Sequence, residues 1–259
     1  MIIDRDAKTK SVSIFCGDFL NLIQDIPDQS VDAIITDPPY GLTDNKWDKQ
    51  IPFETMWTEF NRVVKDDSPM VLFSLPPFSS KMIVSNISQY RYTWIWDKRA
   101  PVGFLNANLT PLRRFEMILV FSRKMARYYP QMTKGVPYVK RRTARTKTDN
   151  YGNYIPTDTF NDGLRYPVDI LDQWPNHNFR KEGNPHPTRK PIGLIEYLVK
   201  TYTKVGDVVL DPFLGSGTTA IACLNTGREC IGMEIEEDFY RFAQERIKIS
   251  REQTKLFEF

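Results

Sequence analysis

Residues 208–219 read VVLDPFLGSGTT, an apolar run that ends in an acid and a proline and continues into two glycines. The run 207–210 predicts a buried strand, and residues 218–224 predict the helix that follows it. Gly215 and Gly217 remove side chains at this strand-to-helix turn, where the backbone of a parallel sheet approaches a ligand. The stretch therefore predicts an α/β protein with a ligand site at the carboxyl end of this strand.

The residues after the two glycines argue against a dinucleotide site and against a P-loop phosphate site. Ala220 stands where the third glycine of a dinucleotide-binding G-x-G-x-x-G would fall, and no P-loop lysine follows. The next predicted strand, 230–235, contains Glu234, whose carboxylate is suited to bonding ribose hydroxyls. Taken singly, the glycines also fit a tight turn, and Glu234 also fits a solvated charge that opens the next helix.

The rest of the chain alternates short apolar runs with amphipathic segments. The runs predict strands at 11–16, 31–36, 70–74, 92–96 and 117–121, and the segments predict helices at 19–26, 53–64, 79–87, 192–202 and 237–254. No helix is predicted between 92–96 and 117–121, so these two strands are expected to pair in an antiparallel hairpin. The alternation elsewhere predicts a mainly parallel sheet covered by helices.

A second motif, Asp37-Pro38-Pro39-Tyr40, follows the predicted strand 31–36. An exocyclic base amine is a poor nucleophile because its lone pair is delocalised, and an acceptor aimed at its N–H groups raises its electron density. The Asp37 carboxylate and the Pro38 carbonyl are candidate acceptors, and the prolines fix φ and hold that carbonyl rigidly. Tyr40 offers a ring on which a flipped base can stack. In isolation the motif also fits a proline-rich turn capped by an aspartate.

Together the two motifs resemble those of the amino-directed (N6-adenine/N4-cytosine) DNA methyltransferases, and their order resembles the β group of that family. The resemblance covers residues 12–123 and 186–250. It implies an α/β, Rossmann-like S-adenosylmethionine-dependent methyltransferase fold, with a mainly parallel seven-stranded sheet and an antiparallel edge hairpin. Residues 1–125 would form the catalytic half of this core and residues 186–259 the cofactor-binding half.

The resemblance also implies roles for individual residues. The catalytic residues would be Asp37, Pro38, Pro39 and Tyr40. S-adenosylmethionine would be bound by Asp18, Asp37, His186, Thr188, Lys190, Asp211, Phe213, Gly215, Ser216, Gly217, Thr218 and Glu234. Arg189 stands where the family often has Gln. The stretches 96–98 and 114–120 resemble weaker family blocks near the base pocket, and they receive no catalytic role.

The middle of the chain, residues 126–185, has a different composition. Apolar periodicity fades, turn residues become frequent, and basic residues are interleaved with tyrosines. This pattern suits contact with DNA phosphates and bases, although a charge run is often only a solvated loop. The family places its target-recognition region between the two motifs, so we expect a basic target-recognition insertion here. The candidate DNA-binding residues are Arg141, Arg142, Arg145 and Lys147.

The expected function is site-specific transfer of a methyl group from S-adenosylmethionine to N6 of adenine in DNA. Asp37 favours adenine, because serine is commoner at that position in the family's cytosine enzymes. The alternatives are an N4-cytosine DNA methyltransferase, an RNA or protein-amide methyltransferase, and a catalytically silent DNA-binding or cofactor-sensing protein. No Pro-Cys pair occurs, so no covalent base intermediate is expected.

The composition sets outer limits on these expectations. The 259 residues carry a net charge of only +3, so the distribution of charge points to DNA better than its total does. The three cysteines predict buried, reduced thiols in a cytoplasmic protein, and the family resemblance implies a bacterial or phage-infected cell. With two histidines and no long apolar run, neither a metal site nor a membrane span is expected. A homodimer and a restriction endonuclease partner are both compatible with the family.

Overall fold

A computed structural model describes residues 12–41, 50–141, 158–176 and 189–256. Pro130–Val168 forms one compact unit, and the described residues on either side of it form the other. None of the described helices is long and apolar enough to span a bilayer.

The elements are numbered in chain order. The strands are β1 (Val12–Cys16), β2 (Ala33–Thr36), β3 (Met70–Ser74), β4 (Tyr90–Val102), β5 (Arg113–Phe121), β6 (Thr133–Lys134), β7 (Tyr138–Lys140), β8 (Thr159–Asn161), β9 (Leu164–Arg165), β10 (Ile170–Leu171), β11 (Val208–Asp211) and β12 (Glu229–Glu234). The α-helices are α1 (Phe19–Leu22), α2 (Phe53–Val63), α3 (Phe78–Ser85), α4 (Ile192–Tyr202), α5 (Thr218–Thr226) and α6 (Glu237–Leu256).

The larger unit contains one sheet of eight strands in the order β1-β12-β11-β2-β3-β5-β4-β10. Neighbouring strands are parallel, except that β5 is antiparallel to both β3 and β4. The predicted mainly parallel fold with an antiparallel hairpin is therefore confirmed. The sheet contains the seven expected strands and one more, β10, which pairs with β4 over two residues. A two-residue strand is too short to leave a periodic signal in the sequence.

Helices cover both faces of this sheet. The buried side chains of α4, α5 and α6 pack in one apolar cluster with one face of the strands, and those of α1, α2 and α3 pack in a second cluster with the other. Strands β2 and β3 are buried along their whole length. This double coverage explains why both strands read as continuous apolar runs instead of alternating sequences.

Two local predictions are wrong. The helix expected over 19–26 ends at Leu22 and continues as a 3-10 turn over Ile23–Asp25, because Ile26 precedes Pro27 and adopts an extended backbone. Cys16 was expected to be buried, yet it is exposed, whereas Cys223 and Cys230 are buried as free thiols. Cys16 is the last residue of β1, where the strand leaves the covered part of the sheet.

The smaller unit, Pro130–Val168, has little buried apolar surface among its described residues. Its described strands form two short antiparallel pairs, β6 with β9 and β7 with β8. The guanidinium of Arg165 lies 4.9 Å from the centre of the Tyr138 ring, a cation–π contact. Val136, Val139 and Phe160 are exposed, so the described part of this unit owes little of its structure to an apolar core.

The turn into α5 requires glycine at position 217 both for its backbone conformation and for its close contact with α6, and substitutions can distinguish the two effects. Gly217 has φ +79°, and a Cβ built on it would lie 3.0 Å from the Cβ of Ala243 in α6. Gly206 has a similar φ of +86°, but a Cβ there would have no described atom within 4 Å. We expect Gly206→Ala to lower the free energy of unfolding by about 1–2 kcal/mol through backbone strain alone. Gly217→Ala should lose about 1 kcal/mol more by overpacking.

Urea denaturation of the two variants and the parent protein measures this difference. Equal losses in both variants would show that α6 moves away from the added methyl group at no cost, and that the close approach of α5 and α6 is not a constraint.

Candidate active site

A cavity of about 920 Å³ lies at the carboxyl ends of the parallel strands in the larger unit. Asp18 enters its wall just after β1, Asp37 just after β2, Asp211 at the end of β11 and Glu234 at the end of β12. Parallel strands all end at the same edge of the sheet. Acids that are far apart in the chain therefore share one pocket.

Both carboxylate oxygens of Glu234, in the cavity wall, accept backbone hydrogen bonds. Its Oε2 accepts the backbone N–H of Gly215 at 2.7 Å, and its Oε1 accepts that of Glu236 at 2.9 Å. Burial raises the pKa of Glu234, although the backbone donors oppose that shift. Each carboxylate oxygen can accept a second bond. The buried carboxylate is therefore oriented and retains acceptor capacity for a diol such as ribose.

Asp211 is a buried acid that also lines the cavity. Its Oδ1 accepts the hydroxyl of Thr36 at 2.6 Å and the N–H of Phe213 at 3.2 Å. Burial raises the pKa of Asp211 to about 6, against the opposing effect of these hydrogen bonds. The side chain thus ties the end of β2 to the glycine-containing turn after β11.

Asp18 and Phe213 lie on the same side of the cavity as Glu234. Asp18 is exposed and accepts the N–H of Leu20 at 2.8 Å, which makes it the N-cap of α1. The ring of Phe213 meets that of Phe19 edge-on, with centroids 5.1 Å apart. This pair joins the turn after β11 to α1, and it leaves Phe213 in the cavity wall.

The other expected cofactor residues divide into three groups. Gly215, Ser216, Thr218 and Lys190 line the cavity. Gly217 is absent from that lining and instead packs against Ala243 of α6. His186 and Thr188 lie outside the described residues.

The motif at residues 37–40 lines the same cavity. The hydroxyl of Tyr40 donates to Oδ1 of Asp37 at 2.5 Å, and the ammonium of Lys190 donates to Oδ2 at 2.5 Å. The Tyr40 ring packs on Phe78, with centroids 5.0 Å apart. Pro38 and Pro39 also line the cavity. The Asp37 side chain is 29% exposed, so a carboxylate held on both oxygens still faces the cavity.

Lys190 connects Asp37 to a second, deeper ion pair. Its Nζ lies 3.1 Å from Oε2 of Glu116 on β5, and Oε1 of Glu116 accepts the ammonium of Lys98 on β4 at 2.8 Å. Lys98, Glu116 and Lys190 are buried. The result is a chain of alternating charges, Asp37–Lys190–Glu116–Lys98, called the charge chain below, whose formal charges sum to zero.

Lys190 and Glu116 are each kept ionised by their neighbours in the charge chain. Burial alone would lower the pKa of Lys190, but Asp37 and Glu116 together raise it. Burial alone would raise the pKa of Glu116, but Lys190 and Lys98 together lower it. Attraction therefore outweighs desolvation at both groups. Asp37 faces a permanently charged lysine.

Lys98 and Glu116 received no role from the sequence, although a signal was present. Lys98 follows Trp94 and Trp96 at intervals of two, and Glu116 precedes Ile118 and Val120 in the same way. In a strand, such spacing puts residues on one face, and here that face is the buried one. Opposite charges at buried positions of paired strands predict an internal ion pair.

The candidate DNA-binding residues lie mostly beyond the described part of the chain. Arg141 is exposed in the smaller unit, immediately after β7. Arg142, Arg145 and Lys147 lie outside the described residues. The role of this basic segment stays a prediction.

The raised pKa of Asp211 predicts a pH dependence of stability. The folded protein holds the proton with a pKa of about 6, compared with an ordinary value of 3.8. Ionisation of Asp211 therefore costs stability progressively as the pH rises from about 4 to above 6, by about 3 kcal/mol in total. Asp211→Asn removes this cost and keeps an oxygen acceptor for Thr36 and Phe213.

Urea denaturation across this pH range tests the effect. We expect the stability of Asp211→Asn relative to the parent protein to increase as the pH rises through this range. If the free energies of unfolding of Asp211→Asn and the parent differed by the same amount at every pH, burial of Asp211 would not be the source of the pH dependence.

The charge chain predicts a large stability loss when its central acid is neutralised. Glu116→Gln leaves Lys98 and Lys190 buried beside a neutral amide, so we expect a loss of about 3–5 kcal/mol in the free energy of unfolding. Glu237→Gln is the matched control, because Glu237 pairs with Arg241 on the surface of α6. That exposed pair should contribute only about 0.3–0.5 kcal/mol. Comparable losses in the two variants would contradict the proposed ionisation of the buried groups.

Comparison with known proteins places this geometry in a family. The family model described as DNA methylase matches residues 31–245. Among curated proteins, the type II methyltransferase M.HpaI of Haemophilus parainfluenzae is 27% identical over 247 residues, which cover 90% of this chain and 73% of that protein. The DNA adenine methyltransferase YhdJ of Escherichia coli (strain K12) is 26% identical over 259 residues, covering 95% of this chain and 84% of that protein.

Solved structures agree with the sequence comparison. The M1.HpyAVI–SAM complex superposes with a TM-score of 0.59 at 25% identity, covering 91% of this chain and 99% of that one. The cytosine-N4-specific PvuII DNA methyltransferase has a TM-score of 0.65 at 17% identity, covering 93% and 92%, and so shares the fold. The chain belongs to the DNA methylase family of amino-directed (N6-adenine and N4-cytosine) methyltransferases, whose methyl donor is S-adenosylmethionine.

Proposed function

We propose that this protein methylates N6 of adenine within a specific DNA sequence. The observation that carries the proposal is the position of the Asp37 carboxylate, which faces the same cavity as Glu234 and the Gly215 turn. An acceptor for an amine and a set of groups suited to a nucleoside thus share one pocket. A silent binding protein would not require the first of these.

The cofactor is proposed to extend from Asp18, Phe213 and Glu234 toward Lys190 and Asp37. Glu234 would accept the ribose hydroxyls, Asp18 the adenine amine, and Phe213 would contact the cofactor's ring system. Gly215, Ser216 and Thr218 line the wall between these ends. Lys190 already contacts two carboxylates, but an ammonium has three donors, so one remains for the cofactor's methionine carboxylate alongside His186 and Thr188.

The chemistry required of the protein is activation and placement of the base amine. S-adenosylmethionine supplies an electrophilic methyl group. The Asp37 carboxylate accepts an N–H of the adenine amine, with the Pro38 carbonyl as a second acceptor, and this raises electron density on N6. The new N–C bond forms as the S–C bond breaks, which releases S-adenosylhomocysteine, and the methylated amine then gives one proton to solvent. Placement and electrostatics supply most of the rate.

Lys190 and Tyr40 are proposed to aim the Asp37 carboxylate. Each donates to a different oxygen of Asp37, so the plane of the carboxylate is set before a base arrives. Preorganised groups avoid reorganisation during the reaction. The Tyr40 ring, held by Phe78, is the proposed stacking surface for a flipped adenine.

Two observations support adenine over cytosine. The motif carries Asp at position 37, where the family's cytosine enzymes more often carry serine. One of the similar proteins, YhdJ, is a DNA adenine methyltransferase. The basic insertion 126–185, with Arg141, Arg142, Arg145 and Lys147, is the proposed target-recognition region, because cations neutralise DNA phosphates.

The deciding experiment incubates unmethylated DNA with purified protein and methyl-labelled S-adenosylmethionine, followed by mass spectrometry of the nucleosides. We expect label in N6-methyladenine. Asp37→Asn should lower the rate by about a hundredfold or more, because it removes the charged acceptor, and calorimetry should still detect cofactor binding.

Tyr40→Phe is the companion variant, because it keeps the ring and removes only the hydroxyl that holds Asp37. Its methylation rate should fall by less than that of Asp37→Asn. Label in N4-methylcytosine would overturn the choice of base. No label in either nucleoside, with cofactor binding intact, would favour the silent cofactor-binding alternative.

A further inference from the structure

The hairpin between β4 and β5 ends in an apolar tip whose large side chains lie in solvent. The tip comprises the residues between Val102 and Arg113, the last pair across the two strands. Three of its four large apolar side chains are exposed, by 66% at Phe104, 101% at Leu105 and 82% at Leu109, whereas Leu112 is partly buried. Exposed apolar groups that cluster on a protruding loop indicate a contact surface.

The backbone of the tip is ordered by its own hydrogen bonds. Gly103 adopts φ +95°, a 3-10 turn covers Phe104–Asn106, and the N–H of Ala107 donates to the carbonyl of Phe104 at 3.2 Å. The N–H of Thr110 then donates to the carbonyl of Asn106 at 3.0 Å. The apolar side chains are therefore not needed to hold the loop, and they are available to contact another molecule.

The tip stands at the rim of the proposed active site. Val102 and Arg113, at the base of the tip, both line the cavity. Further down the same two strands, Lys98 and Glu116 belong to the charge chain that holds Asp37. The base of the hairpin and Asp37 therefore line the same cavity.

The charge around the tip favours a nucleic acid as its partner. The stretch 98–115 contains four basic residues and no acidic one. Arg99, Arg113 and Arg114 are exposed at the base of the hairpin. Arg99 pairs with Asp97 and Asp172, and Arg114 pairs with Asp97, so these three cations still exceed the two acids that they contact. Arginines can bind phosphates while an apolar tip enters the base stack, as in proteins that insert apolar wedges into DNA.

We propose that the hairpin tip is a DNA wedge, with Phe104, Leu105 and Leu109 entering the duplex beside the target and occupying the space left by the flipped base. This inference rests on the proposed function, in which a DNA base leaves its stack to reach Asp37. Flipping costs pairing and stacking energy, and apolar contacts from the wedge offset part of that cost. A second copy of the chain is a less suitable partner for the tip. A stable protein–protein interface buries about 800 Å² on each partner, and three side chains supply less than that.

The test uses the full-length triple variant F104S/L105S/L109S. All three side chains are exposed, so the fold should be retained. The matched control is V84S/I87S, which removes two other exposed apolar side chains, at and just after α3. The site methylated by the parent protein is first mapped on plasmid DNA. Duplexes are then made in which the target base is either paired or opposite an abasic position.

The wedge variant should lose about tenfold or more in kcat/KM on the paired duplex, because it no longer offsets the cost of flipping. On the duplex with the unpaired target the loss should stay within about twofold, since little flipping cost remains. The control variant should match the parent protein on both duplexes.

An equal loss on both duplexes, or no loss on either, would overturn the wedge. A change in sedimentation that accompanies the activity loss would also overturn it, because the tip would then contact a second copy of the chain. Absence of methylation by the parent protein would be a failure of the proposed function and not of the wedge.

Discussion

The ammonium group of Lys190, held between the carboxylates of Asp37 and Glu116, is the interaction on which the candidate site depends. It joins the turn after β2, the antiparallel strand β5 and the chain just before α4. Lys98 completes the balance of charge from β4. Because the lysine and glutamate are buried, each charge is tolerated only while its partners are present. The orientation of the Asp37 carboxylate therefore depends on the correct packing of four separate segments.

The other end of the cavity is held by a different kind of interaction. Glu234 and Asp211 are oriented mainly by backbone N–H groups and a threonine hydroxyl from the turns around β11 and β12. Burial raises the pKa of both acids, whereas the ion pairs of the charge chain lower that of Glu116. Acids oriented by backbone N–H groups suit the hydroxyls of a nucleoside, and a carboxylate held by ion pairs suits an amine. This contrast is the electrostatic argument for the proposed orientation of the cofactor.

The surfaces proposed to meet DNA differ from the core in how they are built. The hairpin between β4 and β5 and the smaller unit Pro130–Val168 rely on local hydrogen bonds and short strand pairs, and they leave their apolar and basic side chains in solvent. Surfaces of this kind can change in sequence without disturbing the sheet. A single catalytic core can therefore serve enzymes that recognise different DNA sequences.

The sequence by itself determined the order of strands and helices, the antiparallel hairpin, the two motifs and the family. Each of these depends on local periodicity or on a short contiguous pattern. The alternation in β4 and β5 already signals the Lys98–Glu116 pair, but only tertiary structure decided that Lys190 joins this pair to Asp37, because the four residues lie on separate segments. It also decided that Gly217 faces Ala243 instead of the cavity, that Cys16 is exposed, and that a two-residue β10 joins the sheet. These features arise from packing between distant parts of the chain, which a one-dimensional pattern does not encode.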